Sequence, residues 1–213
     1  MQASCADLVL AARAAGVSDQ RLLDAIAATD RAAFAPAGYA GESYSDRPLP
    51  ILRGLVTTQP SLVAVMIAGL NLAGGEQVLE IGVGYGYQTA LLARLASYVT
   101  SVEIHSDIAE VARRKLSNQG IANVQVIVAD GTRGYPEGAP FDAVLVSAAN
   151  PEVPPPLVDQ LCEGGRLVQP IGPGGNEDVT LFERIPDGLQ RVRVLTTANF
   201  VLLHGKYGFA DPS

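Results

Sequence analysis

Gln77-Val78-Leu79-Glu80-Ile81-Gly82-Val83-Gly84-Tyr85-Gly86-Tyr87-Gln88-Thr89 is the stretch whose reading decides the fold. Val78 to Ile81 is a short apolar run of the kind that forms a buried strand. Glycine then stands at every second position, at Gly82, Gly84 and Gly86. From Gln88 to Ala96, Leu91, Leu92 and Leu95 fall at helical spacing. Strand, glycine-rich turn and helix form the opening unit of a doubly wound, mostly parallel α/β sheet built to hold a nucleotide-like ligand. Glycine lets the backbone turn sharply and approach a ligand where a Cβ would clash. The helix start adds free backbone N–H groups.

The spacing is G-x-G-x-G and not the dinucleotide fingerprint G-x-G-x-x-G. Glu80, at the end of the first strand, narrows the ligand further. A carboxylate there repels a pyrophosphate but tolerates a ligand that carries cationic groups and no phosphate. S-adenosylmethionine (SAM), with its ammonium and sulfonium, is such a ligand. The second strand, Val99 to Ile104, ends in Glu103, some twenty residues past the glycines, where an acid accepts from ribose hydroxyls. The third, Val124 to Ala129, runs into Asp130-Gly131, where an acid would meet the adenine amine. Three strand ends, each delivering a carboxylate, say more than the glycines alone. The competing reading makes these acids caps of the turns and helices that follow.

Composition sets the outer bounds. The chain has 213 residues, 48% hydrophobic and 17% charged, which places it among globular and not disordered proteins. Its net charge of -7 argues against nucleic acid as a partner, since that needs clustered Lys and Arg. Cys5 and Cys162 lie far apart with no C-x-x-C spacing, so neither a disulfide framework nor a zinc site is expected. The first residues lack a basic leader region, and no apolar run reaches the ~18 residues a membrane span needs. A cytoplasmic monomer with no membrane partner is the expectation.

Taken in order, residues 4–15 read as an alanine-rich helix ended at Gly16. Ser18 caps a second helix with Leu22, Leu23 and Ile26 on its apolar stripe. Gly38 to Pro50 reads as an extended loop, and Pro60 opens a helix running to Leu72. Ser106 or Asp107 caps the helix through Asn118, with Arg113, Arg114 and Lys115 on a solvated face. Phe141 to Val146 is a buried strand. Pro154 to Pro156 lead a helix to Leu161, and Gly164-Gly165 turn into the strand Arg166–Pro170. Val179–Arg184 and Leu189–Thr196 read as an antiparallel pair joined at Pro186-Asp187-Gly188, with Phe200–His204 as a further strand and a polar tail to Ser213. One domain is expected over 1–213, with N-terminal helices and a substrate-covering loop in 1–75 and the sheet core in 76–213.

Several segments together resemble the protein-L-isoaspartate (D-aspartate) O-methyltransferase family across about residues 30–209. They are Tyr44-Ser45-Asp46-Arg47-Pro48-Leu49-Pro50-Ile51, Val78 to Gln88, Asp130-Gly131-Thr132-Arg133-Gly134-Tyr135, Pro140-Phe141-Asp142-Ala143-Val144, Gly164-Gly165-Arg166-Leu167-Val168 and Gly205-Lys206-Tyr207-Gly208. The resemblance implies a class I SAM-dependent methyltransferase, Rossmann-like, with an N-terminal helical cap and an antiparallel C-terminal edge. It implies a protein or peptide carboxylate as acceptor and S-adenosylhomocysteine as the spent cofactor. Glu80, Gly82, Gly84, Glu103, Asp130 and Gly131 would contact SAM, joined by Tyr85, Gly86, Gln88, Ile104 and Ser147. The Ile51–Pro60 segment would cover the methyl donor.

That segment departs from the family's usual Ile-Gly-x-Gly-Gln-Thr-Ile-Ser-Gln-Pro. Leu55 and Val56 replace a glutamine and a threonine, while Thr58 keeps the hydroxyl of the usual serine. Val201-Leu202-Leu203 stands where the family has Val-Pro-Leu. The expected substrate set is Arg53, Leu55, Val56, Thr57, Leu202 and His204. Thr58 is the candidate for orienting the acceptor, with helix capping as its competing role. For Arg53, Ser147, Tyr85 and Tyr87 the competing roles are an exposed loop cation, a cap, and packing. A carboxylate with a pKa near 4 is already ionised at pH 7 and needs no base, which accounts for the lack of a Ser/His/Asp or Cys/His set; His105 and His204 read as strand-end residues. Three functions remain open at this stage. The first is methylation of L-isoaspartyl residues in damaged proteins. The second is methylation of an aspartate in a dedicated precursor peptide of a modified-peptide (RiPP) pathway. The third is a SAM-binding module without catalysis.

Overall fold

The computed structural model describes residues 3–210. Two N-terminal helices, α1 (Cys5–Ala14) and α2 (Gln20–Ala27), lead through short 3-10 turns to α3 (Pro60–Leu70). Then β1 (Gln77–Ile81), α4 (Tyr87–Leu95), β2 (Tyr98–Glu103), α5 (Ser106–Asn118), β3 (Val124–Val128) and β4 (Phe141–Val146) alternate. The chain closes with α6 (Pro155–Asp159), β5 (Leu161–Ile171), β6 (Glu177–Ile185) and β7 (Gly188–Ala198). The seven strands form one sheet in the order β3-β2-β1-β4-β5-β6-β7. The pairs from β3 to β5 are parallel, and β5–β6 and β6–β7 are antiparallel. This is the doubly wound sheet with an antiparallel edge that the sequence implied.

Strand alternation sends the two faces to two cores. Val78 of β1 and Ala143 and Leu145 of β4 face a cluster shared with α1 to α5. Leu79, Ile81, Val144 and Val146 face the other, closed by Leu157 of α6 and Leu203 near the C-terminus. Strand order reverses direction at β1, whose neighbours are β2 and β4. Ligands of such sheets bind at the carboxyl ends of the strands beside that switch.

Several local expectations shift. Asp19, not Ser18, caps α2 by accepting from the Arg21 N–H at 2.9 Å; a carboxylate next to the first turn also suits the helix dipole. His105, and not Ser106 or Asp107, occupies the N-cap of α5, without a side-chain cap bond; the Asp107 carboxylate accepts from the Ile108 N–H and from Arg53, both at 3.0 Å. Lys115 is no solvated bystander: its ammonium donates to the Ala33 and Ala35 carbonyls, both at 2.9 Å, and fastens the N-terminal segment to α5. Arg113 likewise donates to the Val126 carbonyl at 2.8 Å. β5 begins at Leu161, earlier than expected, and runs through Gly165, where a Cβ would lie 2.8 Å from the Cys162 carbonyl oxygen. Phe200–His204 is not a strand; it is held by single bridges from Leu202 to Ala149 and from His204 to Phe209. The end of the polar tail, 211–213, and the first two residues lie outside the described residues.

Candidate functional site

The carboxyl ends of β1, β2 and β4 open into one cavity, walled on its far side by the 49–58 loop and by 201–204. Gly82, Gly84 and Gly86 line its floor with φ of 92°, 52° and 92°, left-handed values that favour glycine. Tyr85, Gln88, Glu103, Ile104, Gly131 and Ser147 line it as well, and on the acceptor side so do Leu55, Val56, Thr57, Thr58, Leu202 and His204.

Glu80, Asp130 and Arg53 fall outside that lining. Glu80 is fully buried behind Gln88. It accepts from Gln88 Nε2 at 2.8 Å and from the Thr89 and Ser101 hydroxyls at 2.6 Å each. Burial pushes its carboxyl up to about 7, against the pull of those three donors and with a small further push from Glu103. Its reach into the cavity is therefore indirect, through Gln88. Asp130, expected at the adenine amine, is engaged within the protein and lies outside the cavity lining. It accepts from the Thr132 N–H at 2.9 Å, the Thr132 hydroxyl at 2.6 Å and the Lys206 N–H at 2.9 Å. The acid caps its own turn and ties down the Gly205–Gly208 segment, the competing role weighed for it. Gly205 must be glycine here, since a Cβ would sit on Asp130 Oδ1 and φ is 143°. Arg53, at φ 63°, turns outward to Asp107 with Nε–Oδ distances of 3.0 and 3.1 Å, an exposed ion pair away from the acceptor.

Glu103 stays at the cavity. It accepts from the His105 N–H at 3.0 Å and the Gly84 N–H at 3.4 Å, and burial raises its pKa against the pull of both. Gln88 is nearly buried, and its Nε2 is shared between Glu80 and Ser147 Oγ at 2.8 Å each. Its Oε1 has no partner among the described residues. With the amide nitrogen turned to Glu80 and Ser147, the bare oxygen is left over. That oxygen suits an incoming cationic N–H, and Glu103 suits ribose hydroxyls. Of the two cations that line or adjoin the wall, Arg31 donates to the Ser43, Ser45 and Arg47 carbonyls and Lys115 to those of Ala33 and Ala35. The donor set fits SAM.

Thr58 does not cap α3. Gln59 holds the N-cap position, and Asp46, from the preceding loop, accepts the Ser61 N–H at 2.8 Å and Gln59 Nε2 at 2.8 Å. The Thr58 side chain is left to the cavity. Arg31 was not foreseen. It lines the cavity almost fully buried, with its guanidinium 5.8 Å from the Tyr87 ring centroid. Phe34 and Ala35 line it too, and Phe34 meets Tyr87 edge-on at 6.1 Å. The available signal was an arginine immediately before the apolar run Ala32-Ala33-Phe34-Ala35; its carbonyl partners lie too far along the chain to be read.

The family model for protein-L-isoaspartate(D-aspartate) O-methyltransferase (PCMT) matches residues 3–208. The chain belongs to this family. A protein-L-isoaspartate O-methyltransferase of Anaeromyxobacter dehalogenans is 52% identical over 190 residues, covering 88% of this chain and 91% of the relative. One of Methanoculleus marisnigri is 47% identical over 198 residues, covering 92% and 89%. Among solved structures, a protein-L-isoaspartate O-methyltransferase superposes with a TM-score of 0.85 at 30% identity, over 96% of this chain and 67% of that one. A putative member from Plasmodium falciparum, in complex with S-adenosyl-L-homocysteine, shares the fold with a TM-score of 0.80 at 21% identity, over 96% and 99%. No helix among the described residues is long and apolar enough to cross a membrane.

Proposed function

We propose that this family member transfers the methyl group of SAM to the α-carboxylate of L-isoaspartyl residues in damaged proteins or peptides. One observation carries the reading. The acid-and-glycine floor at Gly82, Glu103 and Gln88 and the hydroxyl-bearing loop at Thr57 and Thr58 open onto the same cavity. When bound, SAM supplies an electrophilic methyl on a sulfonium, and its transfer leaves S-adenosylhomocysteine.

The residues do the rest by placement. Glu103 would hold ribose hydroxyls, the Gly82–Gly86 backbone would let the cofactor lie close, and Gln88 Oε1 would accept from its ammonium. Gly131 keeps the adenine side narrow: a Cβ there would meet Ile81 Cγ2 at 2.5 Å. Ser147, tied to Gln88, follows β4 at the cavity and would line the methyl site. Thr58, which lines the cavity, would donate to the acceptor carboxylate and so orient it. Ionised at neutral pH, that carboxylate needs no general base, and alignment supplies most of the acceleration. The neighbouring backbone amide nitrogen then attacks the ester carbonyl and expels methanol, which takes up the amide proton, and hydrolysis of the resulting succinimide returns part of the population to aspartate.

Curated relatives at 43–52% identity are named for isoaspartate methylation, which favours repair over the dedicated-peptide and non-catalytic readings. Leu55 and Val56 then read as substitutions that the acceptor side tolerates. The reading carries with it a cytoplasmic monomer whose macromolecular partner is the damaged chain. Thr58→Ala tests it: turnover on an isoaspartyl peptide should fall about tenfold or more while SAM affinity holds. Loss of affinity with turnover intact would refute the acceptor role.

A further inference from the structure

Thr57 is pinned by its surroundings. Its backbone N–H donates to the Leu49 carbonyl at 2.8 Å, and its side-chain oxygen accepts the Leu49 N–H at 2.9 Å. Arg31 Nη2 donates to the same oxygen at 3.3 Å. A threonine hydroxyl has two acceptor positions and one O–H. Both acceptor positions are taken by donors, and no protein acceptor for the O–H is present among the described residues. Thr57 lines the cavity, so the remaining proton has the cavity to point into.

Arg31 explains why that proton is worth having. The guanidinium donates to the Ser43, Ser45 and Arg47 carbonyls at 2.9, 3.0 and 3.0 Å. Among the described residues no carboxylate pairs with it within ion-pair distance. The buried cation is held by dipoles at hydrogen-bond distance, with Asp46 as a more distant counter-charge, and an anion brought into the cavity adds another. Its N–H on Thr57 Oγ1 also polarises the hydroxyl toward donation.

We infer that Thr57 donates a second hydrogen bond to the acceptor carboxylate, with Arg31 as the positioning residue behind it. This rests on the carboxyl-methylation reading above and assigns a binding group that the family's usual isoleucine at this place does not have. It compensates for the polar side chains that Leu55 and Val56 have lost. The acceptor carboxylate meets two hydroxyls from adjacent positions, one preset by Arg31 and Leu49 and one free to turn.

The test compares Thr57→Val with Thr57→Ser on an isoaspartyl peptide, reading kcat, KM and SAM affinity separately. Thr57→Val should raise the peptide KM about ten- to a hundredfold, with kcat and SAM affinity little changed. Thr57→Ser keeps the O–H and should stay close to the unmodified protein. An unmoved KM in Thr57→Val would overturn the inference, as would equal losses in both variants or a rise of KM accompanied by comparable falls of kcat and SAM affinity. If Thr57→Val does not fold, Thr57→Cys carries the same comparison, since a thiol accepts weakly from Leu49 and donates poorly. Absence of any transfer by the unmodified protein would instead refute the carboxyl-methylation reading itself.

Discussion

The Glu80 carboxyl makes stability depend on pH in a direction opposite to that of most acids. Folded, it holds its proton up to about pH 7; unfolded, it releases it near 4.5. The folded state therefore binds more protons across that window, and its contribution is complete below 4.5 and lost as pH rises through 7. A shift of about 2.5 units corresponds to about 3 kcal/mol in full, of which about 2 kcal/mol falls between about pH 5.5 and 8.5. Glu80→Gln removes the titration but keeps the shape. Its oxygen serves the Thr89 and Ser101 hydroxyls, and Gln88 turns its amide to offer the oxygen that now lacks a partner. Urea unfolding at the two pH values, on both proteins, isolates the effect from every other titrating group. The unmodified protein should lose about 2 kcal/mol more than the variant on going to the higher pH. Equal losses in both would refute the burial argument for Glu80.

Other outcomes follow from the same geometry. Glu103→Ala should weaken SAM binding about tenfold or more by calorimetry, whereas Asp130→Ala should act chiefly by lowering the melting temperature, since its carboxylate holds Thr132 and Lys206. Gly131→Ala should cost about 1–3 kcal/mol of stability and also weaken SAM binding, because its Cβ would press on Ile81. Asp46→Ala removes the cap of α3 and should cost about 1 kcal/mol in denaturant unfolding. Arg53→Ala should leave the peptide KM within about twofold, as its ion pair with Asp107 is exposed; a tenfold rise would return Arg53 to the acceptor site.

Residues close in sequence and governed by strand or helix period were legible. The β1 run, the glycine turn and the strand-end acids could be read because a strand delivers its last residue to the sheet edge wherever the chain goes next. The direction a side chain takes past that edge was less legible. Asp130 sits at the predicted strand end, yet Lys206, 76 residues on, claims its carboxylate. Glu80 lies one pleat away from the cavity, so its effect passes through Gln88. Arg31 and Lys115 bind carbonyls across spans of up to 82 residues, which no local period encodes. Thr57 lay in the expected substrate set, but its fixed orientation depends on both Arg31 and Leu49, so it emerged only with the tertiary structure.

The most direct measurement offers labelled SAM with two peptides identical except for an isoaspartyl or a normal aspartyl residue. The account predicts base-labile methyl ester on the isoaspartyl peptide alone. Equal methylation of both peptides, or of neither while SAM binds, would contradict it.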